Sequence, residues 1–95
     1  MTTSTPTPKT ENETKTPAVP VDVAMHVLWH FGDYNNGRQG GKFVERLLLT
    51  MSAADAENRT KIGREYPEYA MAFLAVQQQT WGLDWLQRIV RGVAA

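Results

Sequence analysis

The chain has no cysteine among its 95 residues. That excludes disulfides, thiolate catalysis and Cys-ligated zinc. It has no charged segment leading into an apolar one at its start, so no secretory leader is expected. Nor does it contain a run of about 18 apolar residues, the length a membrane span needs. These absences together predict a soluble cytoplasmic protein with no membrane partner. Excess charge of either sign is missing too: ten Lys and Arg balance ten Asp and Glu. The balance holds from Val21 onward, where Arg38, Lys42, Arg46, Arg59, Lys61, Arg64, Arg88 and Arg91 oppose Asp22, Asp33, Glu45, Asp55, Glu57, Glu65, Glu68 and Asp84. Nucleic-acid binders draw much of their affinity from neutralising phosphates, so a balanced chain argues against that class.

Large apolar residues are scarce at the beginning. Residues 1–20 are mostly Thr and Pro with interspersed Lys9, Glu11, Glu13 and Lys15, and none but Met1 is large and apolar before Val19. Such a segment cannot bury enough surface to offset its ordering entropy, which predicts a disordered tail. A proline-rich docking arm is the alternative, but the one PxxP spacing, Pro17 to Pro20, falls at the border of the tail. Residues 21–95 then form a single domain. A folded part of about 75 residues buries only about 60% of its unfolded surface, so a partner or self-association would add useful burial.

Beyond the tail the chain has helical periodicity. Val23, Ala24, Val27, Leu28 and Phe31 fall on one arc, predicting a helix over 21–31 that stops at Gly32. Asp22, His26, His30 and Asp33 form the opposite stripe, flanked by Met25 and Trp29. The ten residues Gly32–Gly41 include four glycines and two asparagines, which is turn chemistry. The loop is long for a small bundle, which raises its functional interest. A second helix from Lys42 to about Ser52 presents Phe43, Val44, Leu47, Leu48 and Met51 on one face and turns Leu49 outward. A third, about 56–66, has Asp55 as its N-cap and Glu57 in its first turn. It is mostly polar, with Ile62 and Tyr66 as anchors, so it belongs on the surface. Pro67 opens a fourth helix. Tyr69, Ala70, Ala72, Phe73, Leu74 and Val76 give that helix a wide apolar face and a central position. Gln77 to Gln79 interrupts the pattern, Trp81-Gly82 marks a kink or turn, and 83–93 is amphipathic again, with Leu83, Trp85, Leu86, Ile89, Val90 and Val93 on one side. Asn36-Gly37 lacks the flanking apolar strands of a hairpin. The predicted fold is all-α, a small bundle of four or five short helices.

Several residue groups invite a functional reading. Asp22, His26 and His30 recur at four-residue intervals and could meet one metal ion. The stretch from His26 to His30 lacks the Glu of the HExxH motif, so a solvated polar face is the simpler reading and no metal is expected. The glycine-rich loop before Lys42 does not match a phosphate cradle, because Arg38 follows Gly37 where Lys and Ser or Thr should stand. No nucleophile elbow or paired carboxylates accompany the two histidines. No catalytic residue and no cofactor are therefore predicted. A helix-turn-helix over 43–66 would use Arg59, Lys61 and Arg64, but these spread around the helix, interleaved with Glu57 and Glu65, and the turn is alanine-rich. Tryptophan is enriched at binding hot spots. Trp85 fits the apolar face and reads as core, whereas Trp81 sits off-centre. Trp81, Trp29, Met25 and Leu49 form a candidate contact surface, with Arg88 and Arg91 as its basic edge.

Gly41-Lys42-Phe43, Leu47-Leu48, Ala54-Asp55 with Asn58-Arg59, and Tyr66-Pro67-Glu68-Tyr69 resemble small uncharacterised proteins of actinobacterial phages and mobile elements. The similarity covers about thirty residues of the chain. Those proteins usually carry Gly-Ser-Phe where this chain has Gly41-Lys42-Phe43, and Phe where Tyr66 stands. The resemblance implies a phage context, in which small helical proteins commonly bind host or virion components, and transfers no catalytic residue. The expected function is a non-enzymatic accessory protein that binds another protein through Trp29, Leu49, Trp81, Arg88 and Arg91, with homo-oligomerisation as a further route to burial. The alternative is a small nucleic-acid-binding protein acting through Arg59, Lys61 and Arg64.

Overall fold

The structure is a computed structural model that describes residues 19–92. The expected disordered tail lies outside the described residues except for its last two positions. Among the described residues five helices occur in order: α1 Val21–His30, α2 Lys42–Ala53, α3 Ala56–Glu65, α4 Pro67–Gln78 and α5 Gly82–Arg91. There is no strand among the described residues. The chain is all-α.

Domain and tail meet slightly earlier than composition suggests. Val19 is buried in the core, and the Pro20 carbonyl accepts the first helical hydrogen bond from Ala24 N–H at 3.0 Å. Pro20 thus serves as the N-cap residue of α1, whose side chain has no hydroxyl or carboxylate to offer. The other end of α1 closes as expected, with Gly32 at φ 97° just beyond the Phe31 cap.

α4 is the hub and touches each of the other four helices. Its wide apolar face explains this: Ala70, Ala72, Phe73 and Ala75 are buried, and small residues let neighbours approach. Phe73 is fully enclosed, together with Leu28 of α1 and Leu86 of α5. α1 packs on α5, α4 and α2. The close crossing of α4 and α5 depends on Gly82. A Cβ there would stand 2.0 Å from the Ala75 carbonyl oxygen, so only glycine fits. The turn expected at Trp81-Gly82 is therefore a packing device as well.

α3 buries no residue completely, in keeping with its polar sequence. The Asp55 side chain caps it by accepting a hydrogen bond from Asn58 N–H at 2.9 Å. Ile62 is half-buried against the core. Tyr66, the other expected anchor, ends up exposed as the residue between α3 and α4.

Three further residues assigned to apolar faces lie outside the core. Phe31 is exposed because α1 has ended and the chain turns there, although its ring still reaches Phe73 at 5.2 Å between centroids. Phe43 is 60% exposed in the first turn of α2, with its ring 5.6 Å from that of Tyr66. Leu83 is exposed at the start of α5. All three stand near a helix end, where the neighbouring elements cover the side chain only in part. Val93, expected on the same side as Leu86, lies outside the described residues.

Candidate functional site

α1, the 32–41 loop and α2 enclose a solvent-open cleft of about 240 Å³. α1 contributes His26, Trp29 and His30, which share one helix face through their three- and four-residue spacing. α2 contributes Val44, Glu45, Leu48 and Leu49 by the same spacing, and the loop supplies Tyr34 and Gly40.

The loop is placed by a carboxylate. Asp33 N–H donates to the Leu28 carbonyl at 2.9 Å, which turns the chain back along α1. The Asp33 carboxylate then accepts from Asn35 N–H (3.2 Å), Asn36 N–H (3.1 Å), the Asn36 amide (3.0 Å) and the Gln87 amide of α5 (2.8 Å). The Gln87 bond and then the Asn36 backbone bond hold this carboxyl below the usual carboxylate range, because they favour its ionised form. A second tie runs from Arg38 N–H to the Met25 carbonyl at 3.0 Å. Gly37 lies so close to α1 that a Cβ would stand 2.4 Å from the Trp29 backbone nitrogen. The glycine-rich linker is thus a fitted strap. Its consequence for the cleft is that the Tyr34 ring packs edge-on to Trp29, with centroids 4.5 Å apart and planes at 61°.

The histidines do not converge on a common point. His26 shares a 2.8 Å hydrogen bond through Nδ1 with the Tyr69 hydroxyl, and the two rings are parallel. Burial, and secondarily the charges of Asp22 and Glu68, push the Tyr69 phenol up, so it stays protonated. His30 instead packs against both the Phe31 and Phe73 rings, with Nε2 3.4 Å from Ser52 Oγ. Burial lowers its pKa, which favours the neutral imidazole. Ser52 Oγ also donates to the Leu48 carbonyl at 3.1 Å, so its proton is directed away from a base. Asp22, the proposed third ligand, accepts from Val23 N–H at 2.9 Å. Among the described residues no group of three His, Cys, Asp or Glu side chains could hold a metal ion.

The residues expected at a contact surface fall in two places. Trp29 and Leu49 line the cleft together. Trp81 lies apart at the N-terminus of α5, 53% exposed and edge-on to the half-buried Trp85, with ring centroids 5.6 Å apart. Arg88 is held by Asp84, one turn earlier, at 2.9 Å. Arg91 is exposed in the last turn of α5, and Met25 is half-buried in α1. Of the residues expected in a nucleic-acid reading, Arg59 is half-buried and donates to the Met51 carbonyl at 3.3 Å, and Lys61 pairs with Glu57 at 3.6 Å. Arg64 is exposed in the last turn of α3.

Tyr34 and Glu45 are site residues that the sequence did not single out. Tyr34 stands in a stretch without periodicity, and Glu45 looks like one more residue on a solvated face. The loop length was the available signal for Tyr34; for Glu45 there was none.

The fold and the cleft define a small five-helix α domain with one aromatic-walled recess. No family model, no curated protein and no solved structure matches the chain.

Proposed function

We propose that this chain is a non-enzymatic accessory protein of the phage type that acts in the host cytoplasm by binding another protein. The cleft between α1 and α2 is its principal contact site. The observation that supports this is the convergence of Trp29, Tyr34 and Leu49 on one open recess, with Tyr34 65% and Leu49 60% exposed. Large apolar side chains on a rigid frame lose little entropy on binding, which is why such residues anchor interfaces. α1 and α2 supply the frame, and the Asp33-centred strap fixes the aromatic wall. Trp81 with the Arg88 and Arg91 edge forms a second, separate contact.

The test is affinity capture from host lysate with wild type, Leu49→Glu and Trp81→Ala in parallel, followed by binding measurements on the purified partner. Leu49 is exposed, so Leu49→Glu should leave the helical circular-dichroism spectrum unchanged. A partner retained by wild type and lost with Leu49→Glu supports the assignment. Equal recovery by all three proteins rejects it. Light scattering over a range of concentrations decides whether the bound protein is a second copy of this chain.

A further inference from the structure

The cleft has a chemistry more specific than apolarity. Trp29 and Tyr34 form an edge-on aromatic pair on one side, with their planes at 61° and Tyr34 65% exposed. Among the described residues, Glu45 is the only acid in the lining, and no Lys or Arg lines it. The Gln39 amide donates to Glu45 Oε2, while Oε1 has no protein donor among the described residues. Val44, Leu48 and Leu49 make the rest of the α2 wall aliphatic.

We propose that this cleft receives an arginine side chain presented by the partner protein, its guanidinium against the exposed Tyr34 ring beside Trp29 and hydrogen-bonded to the Glu45 carboxylate. The volume fits such an occupant: at about 240 Å³ the recess falls below the ~300 Å³ at which sites for whole small-molecule ligands begin. A cation over an aromatic face is attracted by the ring quadrupole, and Arg is found there more often than Lys. The guanidinium is planar, weakly hydrated and able to stack while donating to a carboxylate in its own plane. Its three methylenes match the aliphatic wall, as long charged side chains bury their stems while their heads stay bonded. Burial favours the neutral imidazole at His30, so that ring does not oppose a cation in the recess.

This assignment rests on the cleft being the protein-contact site and adds the identity of the group it takes. The test uses the full chain labelled with ¹⁵N, so that the Trp29 indole N–H signal is read separately from those of Trp81 and Trp85. The probes are N-acetyl-arginine methylamide, the corresponding lysine derivative and the citrulline derivative, which keeps the arginine shape without the charge. The arginine probe should produce a saturable shift of the Trp29 signal, the lysine probe a weaker one and citrulline none. Glu45→Gln, which preserves side-chain size, should weaken the arginine probe about ten-fold, the loss expected for one charge-assisted hydrogen bond. Tyr34→Ala, on an exposed residue, should weaken it as well and serves as a second variant should Glu45→Gln perturb the fold. Equal shifts from citrulline and arginine, or no Trp29 shift with any probe, would overturn the proposal. If the probes fail while Leu49→Glu still abolishes partner capture, the contact site stands and its occupant is another side chain. If the Trp29 shift saturates while Leu49→Glu leaves capture intact, the cation site stands and the protein-contact reading falls.

Discussion

α3 and α4 are consecutive helices joined at Tyr66, yet they are stabilised by opposite means. α4 touches every other helix and buries four residues, and no side chain caps either of its ends. α3 touches only α2 and α4, buries nothing completely, and carries its own support: the Asp55 cap, the Glu57–Lys61 pair and Thr60 Oγ1 donating to the Ala56 carbonyl. A short isolated helix is marginal in water, so each needs outside help. α4 gets it from burial, and α3 from its Asp55 cap together with the half-buried Ile62. This domain therefore has a packed half, α1, α4 and α5, and a more exposed flank, α3, which lies along α4 without burying any residue completely. The proposed contact cleft lies between α1 of the packed half and α2, with its loop wall fastened to α5 through Gln87.

The contrast between the two helices is tested most severely at the centre of the packed half. Phe73→Ala should cost about 3–5 kcal/mol, a large share of the ~5–15 kcal/mol that holds a domain of this kind. Loss of a cooperative melting transition in circular dichroism would follow, whereas near-wild-type melting would show that α4 is not the hub. Gly82→Ala should come next, at about 1–3 kcal/mol, because the added methyl meets the Ala75 carbonyl and must push α5 off α4. Urea denaturation checks this, and a midpoint equal to wild type would mean the crossing is looser than described.

On the flank the effects should be smaller and local. Asp55→Ala removes the α3 cap and should cost about 1 kcal/mol. Hydrogen exchange should quicken at the first α3 amides and leave those of α4 unchanged. Equal acceleration in both helices would erase the distinction between them.

The smallest effects should come from acid. The folded-state pKa of His30 lies below its ordinary 6.5, so the unfolded chain takes up that proton more readily. Stability is then complete above pH 6.5 and declines as pH falls through the lower folded value. The same reasoning applies to Asp33 from its ordinary 3.8 downward, where protonation releases the strap from Asn36 and Gln87. Both groups are partly solvated, so the losses should be modest. Melting temperature against pH should show two successive declines, with His30→Gln flattening the upper one and Asp33→Asn the lower. A curve unchanged by either substitution would refute both assignments.

Much of this was legible beforehand, for reasons specific to each element. Asp55 was readable as a cap because capping depends on residue type and a three-residue offset, both local. The Gly32 stop and the Pro67 start were readable in the same way. Leu28, Leu48, Met51 and Phe73 were readable as core because helical phase gives the buried face wherever a neighbour covers it. Phe31, Phe43 and Leu83 show the limit of that rule, since periodicity carries no information about whether a facing element exists. At the candidate site, Trp29 and Leu49 were placed on one contact surface, but together with Trp81, which lies apart from the cleft, and Tyr34 and Glu45 passed unnoticed.

An all-helical chain of four or five segments, several of their caps and stops, a polar third helix and a central fourth are all written in the order of the residues. These follow from side-chain chemistry within a turn or two of each position. That the 32–41 loop folds back on α1 is a matter of packing in three dimensions, because its ties to Met25, Leu28 and Gln87 join residues on separate elements. The same long-range bonds bring Tyr34 to Trp29 opposite Glu45 and so make a recess out of residues that local pattern scattered among a loop, a polar stripe and a solvated face.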